Sequence, residues 1–383
     1  MLAVQPITNG ALVHPSGHQE PYHVPPATRK DASQPSAPRI TEHYDIIDIR
    51  KGGISMNLSE SIRASLQTPT NNSPRSLPSL LLWDEQGLKL FEKITYNPQY
   101  YLTNAEIDIL ETHSKTIAEQ IEPGTLLLEL GSGALRKTEI LLRAIEAQGK
   151  DVDYHALDLD RNELARTLKQ LGPTSYRHVR CHGLLGTYDD GRAWLSKADN
   201  ADRSKAILSL GSTIGGFTRV EATESLREWS STLQSSGTKS RSQVMNGLDG
   251  NTDGATVWNA YNDFAGDNRR FVMDALSHAN HDLGCEAFRP SEWTVEGVWD
   301  AVDKCHNQYV VPLKDVILGG TFLRKGERIL VCQSYKWDHV ERKRLWQRSN
   351  LAEKAQLCAN GNDLYGMFPL PLIVGGFQVQ PAD

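Results

Sequence analysis

The stretch Leu126-Leu127-Leu128-Glu129-Leu130-Gly131-Ser132-Gly133, followed by Ala134-Leu135-Arg136-Lys137-Thr138, decides how the chain is read. Apolar residues run into an acid and a Gly-x-Gly turn. Ile140, Leu141, Leu142 and Ile145 then recur at helical spacing. That order predicts a buried strand, a tight turn and a helix. Glycine lets the backbone pass close to a ligand, and a helix start offers N–H groups without partners.

A second element, Val152 to Asp160, predicts the next strand, which closes on Asp158. In a nucleotide-binding βαβ unit, the acid ending the second strand accepts hydrogen bonds from ribose hydroxyls. The full GxGxxG fingerprint is absent, because Arg136 stands at its third glycine, and there is no GxxxxGK[ST] phosphate loop. The ligand therefore carries a ribose and no pyrophosphate. The E-x-G-S-G turn with a later strand-end Asp resembles that of S-adenosylmethionine-dependent methyltransferases. An ordinary glycine turn in an α/β domain is the competing reading.

The rest of the chain sets bounds on function. Its 383 residues suffice for one large domain or two medium ones. Hydrophobic residues at 39% and charged residues at 23% are globular proportions. A formal charge of −6 without a basic stripe argues against nucleic acid as the partner. Cys181, Cys285, Cys305, Cys332 and Cys358 are scattered and form no CxxC, so neither a disulfide framework nor a metal site is suggested. No signal peptide and no apolar run of membrane length stand out, which makes a cytoplasmic protein and no membrane partner the expectation.

Residues 1–40, rich in Pro, His, Ser and Gln, read as a disordered leader. Strands are expected at 125–130, 152–158, 176–181, 205–210 and 242–247, with a Ser/Gly-rich loop over Ser231–Arg241. Thr103 and Glu106 are spaced as a capping box for a helix carrying Ile107, Ile109 and Leu110. A long helix is expected from Val257 to His278, followed by short antiparallel strands, then a helix over Arg342–Ala352 and an apolar tail. The expected organisation is a second lobe beginning at 41–104, a nucleotide-binding α/β domain at 105–254, the rest of the lobe at 255–333, and a return to the α/β domain at 334–383.

Several further stretches carry a resemblance. They are Asn97-Pro98-Gln99-Tyr100-Tyr101, Leu210-Gly211-Ser212-Thr213-Ile214-Gly215-Gly216-Phe217, Ala260-Tyr261-Asn262-Asp263, and Glu327 to Trp337. With Glu129–Gly133 and Leu157-Asp158, they resemble in order the histidine-specific methyltransferase family of ergothioneine biosynthesis. The likeness extends to fungal N-methyltransferases acting on tryptophan and dimethylallyltryptophan, and it runs from Tyr44 to the C-terminus. No stretch of these 383 residues is expected to match the sulfoxide-synthase part of the fungal fusion enzymes.

The resemblance implies a Rossmann-like α/β methyltransferase domain with a second α+β substrate-recognition lobe and S-adenosyl-L-methionine as cofactor; a monomer is the expectation. The cofactor would be held at Trp83 (usually a tyrosine in the family), Gly131, Ser132, Gly133, Lys137, Asp158 and the Gly183-Leu184-Leu185 backbone. A small amino-acid substrate would be held at Tyr100, Tyr261 and Ser334, with Tyr100 and Tyr261 as the catalytic pair. For both tyrosines the bland alternative is half-buried packing.

Departures from the family bear on substrate. The G-S-T-I-G-N motif ends here in Gly216, so a polar contact to the amino acid is lost. The family's carboxylate two positions before Ser334, which pairs with an imidazole, is replaced by Cys332. That lowers polarity and adds volume, as an indole needs. Strand alternation turns Gln333 away from the pocket. Trp258, His306 and Tyr309 are candidates for stacking on an indole, or for packing within the lobe. Cys181 and His182 read as structural. The favoured expectation is α-N-methylation of an aromatic amino acid, L-tryptophan first, to N-methyl and N,N-dimethyl products in fungal secondary metabolism. Histidine trimethylation, a prenylated tryptophan and a non-catalytic cofactor-binding relative are the alternatives.

Overall fold

In the computed structural model, which describes residues 45–51, 57–67, 74–131, 133, 136–172, 176–234, 242–359 and 362–371, Leu126–Leu130 is a strand buried along its whole length. Its alternate side chains serve two cores: Leu127 packs into one, and Leu126, Leu128 and Leu130 into the other. A strand covered on both faces is continuously apolar rather than alternating. The expected leader at 1–40 and most of the expected loop at 231–241 lie outside the described residues.

The strands among the described residues are β1 (Ile46–Asp48), β2 (Leu126–Leu130), β3 (Val152–Asp158), β4 (Val179–Leu185), β5 (Lys205–Ser209), β6 (Gln243–Asp249), β7 (Trp293–Asp300), β8 (Cys305–Pro312), β9 (Val316–Leu318), β10 (Thr321–Leu323), β11 (Ile329–Tyr335), β12 (Leu357–Ala359) and β13 (Asn362–Pro371). An eight-stranded sheet has the order β1-β4-β3-β2-β5-β6-β13-β12. β1 through β6 run parallel, while β13 lies antiparallel to β6 and β12 antiparallel to β13. The order reverses at β2. The chain moves outward through β3 and β4, then returns to place β5 on the other side. Such a switch point leaves a crevice outside the C-terminal strand ends.

The helices are α1 (Leu58–Leu66), α2 (Glu85–Thr95), α3 (Tyr101–Glu119), α4 (Thr138–Ala147), α5 (Arg161–Leu171), α6 (Tyr188–Leu195), α7 (Arg219–Gln234), α8 (Gly254–Tyr261), α9 (Asp267–Leu283) and α10 (His339–Arg348). α3, α4 and α5 contribute to the core on one face of the sheet, and α6, α7 and α10 to the core on the other. This is the doubly wound arrangement that alternating strands and helices imply. No helix among the described residues is long and apolar enough to cross a membrane.

Between β6 and α10 the chain builds α8, α9, a three-stranded antiparallel sheet β11-β8-β7, and the hairpin β9-β10. α9 packs against α2 and against the turn Ser79–Leu82. The early segment thus lies partly against this insertion. β1 does not: it pairs with β4 and extends the main sheet. A three-residue strand carries too little pattern to reveal its sheet.

Other expectations are corrected. The long helix is two, broken over residues 262–266. There Asp263 accepts from the N–H groups of Asp267 and Asn268, and Gly266 takes φ +69°. Thr103 and Glu106 do not cap. The helix already begins at Tyr101, after an Asn97 turn in which the Gln99 N–H donates to Asn97 Oδ1. The fourth strand runs over Val179–Leu185 rather than 176–181. The late helix starts at His339 because Asp338 caps it, accepting from Glu341 N at 2.9 Å.

Candidate active site

Parallel strands put their C-terminal ends on one edge. Gly131 follows β2, Asp158 ends β3, Gly211 follows β5 and Asp249 ends β6, so all four share that edge. Gly131 takes φ +67°, a conformation that favours glycine, and its N–H donates to Leu157 O. A Cβ there would stand 3.6 Å from the Tyr188 hydroxyl. Gly133 is also left-handed, and Ser132 lies outside the described residues. Beneath the turn, buried Glu129 accepts from Tyr154 Oη and Thr138 Oγ1, which ties β2 to the start of α4. Burial raises its carboxyl to about 7, against the pull of these bonds.

Lys137, at the N-cap of α4, places Nζ 2.5 Å from Glu106 Oε2. The Glu106 carboxylate also accepts from Gly211 N at 2.9 Å. The acid read as a cap therefore joins the turns after β2 and β5. Asp158 accepts from Asp160 N at 3.1 Å, and burial raises its carboxyl to about 6. A glycine turn, a strand-end carboxylate and a lysine fit a ligand with a ribose diol and an amino-acid tail.

Gly183, Leu184 and Leu185 sit within β4. Gly183 N donates to Asp45 O, and Leu185 O accepts from Ile49 N. Those backbone atoms serve the sheet, and Leu185, level with Asp158, is the residue of the three nearest the crevice. Trp83 follows the turn Ser79–Leu82. Its ring packs edge-on against Phe91 at 5.2 Å and Phe271 at 5.4 Å, and Phe91 in turn meets Tyr100 at 6.2 Å.

The expected substrate residues do converge. Tyr100 packs T-shaped on Tyr261, with ring centroids 5.8 Å apart, and Tyr261 Oη lies 2.7 Å from Ser334 Oγ. Cys332, two residues earlier on β11, donates its Sγ–H to Gln308 Oε1 at 3.1 Å; Gln308 Nε2 donates to Tyr261 O at 3.1 Å. Burial raises the tyrosine hydroxyls well above their usual range and the Cys332 thiol to about 12, so all stay protonated at neutral pH. His306 stacks on Tyr261 at 4.8 Å, and burial lowers it to about 3, so it stays neutral. Trp258 instead donates Nε1–H to Gly297 O, and Tyr309 lies under the Arg328 guanidinium; both are engaged within the insertion. Cys181, raised to about 12 by burial, and His182, stacked on His155, lie in mid-strand as structural residues.

Sequence reading missed Lys336 and Asp249. Both are fully buried and form an ion pair of 2.7 Å; Lys336 Nζ also donates to Tyr261 Oη and Ser334 Oγ, each at 3.0 Å. Tyr101 donates to Asp249 Oδ2 at 2.6 Å. The available signals were the lysine inside the Glu327–Trp337 stretch and an acid closing a strand.

A family model described as histidine-specific methyltransferase, SAM-dependent, matches residues 58–368. The chain belongs to this family. The methyltransferase uses S-adenosylmethionine as its cofactor, the ligand that the glycine turn and Asp158 fit. It is 41% identical to ergothioneine biosynthesis protein 1 of Neurospora crassa over 89% of this chain, and it spans 38% of that protein's length. It is 36% identical to N-methyltransferase imqF of Aspergillus flavus (76% of this chain, 79% of the relative). It is 31% identical to 4-dimethylallyltryptophan N-methyltransferase easF of Claviceps fusiformis (83% and 93%). The second and third of these relatives are named as N-methyltransferases, and the first as an ergothioneine biosynthesis protein.

Proposed function

We propose that this enzyme methylates the α-amino nitrogen of a free aromatic amino acid, with L-tryptophan favoured, giving N-methyl and N,N-dimethyl products in the cytoplasm. The observation that carries the reading is Cys332. Beside Tyr261 and Ser334, where an imidazole-binding family member has a carboxylate, this chain has a neutral thiol spent on Gln308. Such a wall pairs poorly with imidazole and suits a larger, less polar ring. Free thiols at Cys181, Cys285, Cys305 and Cys332 fit a reducing compartment.

When bound, the cofactor supplies an electrophilic sulfonium methyl group. The chain's own task is to hold a neutral amine in line with that methyl and keep water out. Tyr100 and Tyr261 remain protonated, so they orient the amino acid rather than take its proton. The amine proton leaves to water before the transfer, which needs no strong base in the site. A second reading, histidine trimethylation, is supported by the 41% identity to the ergothioneine protein.

Incubating the enzyme with cofactor and equimolar tryptophan, histidine, tyrosine and phenylalanine, then weighing the products, separates the two. Methylated tryptophan should dominate. Trimethylated histidine in its place would sink the pocket argument.

The adjacent glycines give a finer test. A Cβ on Gly215 would stand 2.9 Å from Tyr335 O and 3.8 Å from Ser334 Oγ, whereas one on Gly216 meets nothing within 4 Å. Gly215→Ala should push β11 and raise the amino-acid KM about tenfold, since overpacking costs ~1–3 kcal/mol. Gly216→Asn should keep the parent's melting temperature and lower KM about fivefold, as one restored hydrogen bond allows. Equal KM values for Gly215→Ala and the parent would mean that this turn does not set Ser334.

A further inference from the structure

We propose that Lys336, held by Asp249, is a positioning residue that turns the Tyr261–Ser334 hydroxyl pair into a donor for the carboxylate of the amino-acid substrate. The proposal rests on the reading that the substrate is an amino acid.

The backbone delivers Lys336 to this place from two sides. Lys336 N donates to Lys304 O at 2.8 Å, and Trp337 N donates to Asp249 O at 2.8 Å. The residue after β11 is thereby pinned to the end of β6. The side chain has no exposure, so the ammonium must find its acceptors within the protein. It has three N–H donors and three acceptors: Asp249 Oδ2, Tyr261 Oη and Ser334 Oγ. Nζ also sits 4.7 Å from the centre of the Tyr261 ring. Tyr101 donates to the same Asp249 oxygen, Oδ2, and the other oxygen, Oδ1, accepts from Asn251 N at 2.9 Å.

Proton bookkeeping then constrains the hydroxyls. Tyr261 and Ser334 each accept from Lys336, so neither offers that lone pair to a ligand. The 2.7 Å bond between them consumes one O–H. The Tyr100 hydroxyl is a further partner of Tyr261 and donates to it. With Tyr261 accepting from Lys336 and Tyr100 and donating to Ser334, the O–H without an acceptor among these five groups is that of Ser334, which is left to donate to a ligand. An ammonium bonded to the oxygen polarises that O–H and strengthens it as a donor. The end of an amino acid that only accepts is its carboxylate. Because Lys336 and Asp249 cancel in charge, attraction comes from the aligned O–H rather than from net charge. A buried ion pair is a poor way to gain stability, and here both partners are spent on orienting site groups.

The test compares the parent with Lys336→Met and Lys336→Met/Asp249→Asn, using each amino acid and its primary amide. The single variant strands a buried carboxylate and is expected to unfold easily. The double variant carries no unpaired charge and keeps an acceptor for Tyr101. Unfolding temperature and S-adenosylhomocysteine affinity by calorimetry report whether the double variant retains fold and cofactor site. The parent should prefer the free acid over the amide by about 10- to 100-fold in kcat/KM, the worth of a charge-assisted bond. The folded double variant should lose most of that preference through KM, with kcat moved less. An unchanged acid-to-amide ratio in a folded double variant would show that the pair serves the fold alone, and a parent without acid preference would also overturn the proposal. If the parent methylates histidine instead of tryptophan, the substrate reading fails while the same ratio, taken on histidine and its amide, still decides this one. A parent that neither binds nor methylates any of the four amino acids overturns both.

Discussion

Asp158→Ala should weaken S-adenosylhomocysteine binding about 100-fold or more, measured by calorimetry. The carboxylate ends β3 at the crevice edge, where a ribose diol can donate two hydrogen bonds to it. Each charge-assisted bond is worth ~1.5–3 kcal/mol, and two together exceed the 2.7 kcal/mol that roughly corresponds to 100-fold. The same residue sets a pH dependence. Burial, the dominant cause, raises its carboxyl to about 6, and only the ionised form accepts from both hydroxyls. Affinity should be flat from about pH 7 upward and fall toward tenfold per pH unit below about 6. Stability moves the other way. A carboxyl whose folded pKa lies above its unfolded value of 3.8 contributes stability fully below 3.8, and loses it as pH rises through about 6. Asp158→Asn should therefore melt higher than the parent at pH 7 while binding cofactor more weakly, with a flat pH profile. Parent-like affinity in Asp158→Asn would remove Asp158 from the cofactor site.

The contrast between Asp158 and Lys336 shows what was legible in the sequence. The strand–turn–helix around Gly131 is local: five successive buried residues, a left-handed glycine and a helix with Leu141, Leu142 and Ile145 on one face declare themselves within twenty residues or so. Asp158 follows from the next strand by the same logic. Tyr100, Tyr261 and Ser334 look like ordinary half-buried residues in isolation, and only their resemblance to a family singled them out. Lys336 and Asp249 stayed hidden because their meaning lies in partners far along the chain. Lys336 meets Tyr261 across 75 residues, and Tyr101 meets Asp249 across 148. A charged residue reads as solvent-exposed until its neighbours are known. Glu106 misled for a related reason. Its spacing from Thr103 matched a local cap, but a contact 105 residues away, with Gly211, claimed its carboxylate. The break at 262–266 was missed because apolar periodicity continues on both sides, though Asn262, Asp263 and Gly266 mark a stop and a new start.

Cys332→Glu should shift the ratio of kcat/KM for histidine over tryptophan by about 100-fold or more toward histidine. Two effects of the same sign combine. A carboxylate facing an imidazole N–H forms a charge-assisted bond worth ~1.5–3 kcal/mol, and a larger side chain on the wall costs an indole ~1–3 kcal/mol in overpacking. The change also meets resistance that the sequence did not show. Gln308 presents Oε1 to the thiol because its Nε2 is bound to Tyr261 O. A new carboxylate would face that oxygen, acceptor against acceptor. If Gln308 flips to donate, its oxygen then faces the Tyr261 carbonyl. Either state strains the segment that carries Tyr261, so total activity should fall even as preference shifts. Adding Gln308→Ala removes the opposing oxygen and should recover activity on histidine without restoring tryptophan. Steady-state kinetics on both amino acids, for the single and double variants, read this out directly. A double variant with no gain on histidine would mean that position 332 does not face the side chain of the substrate.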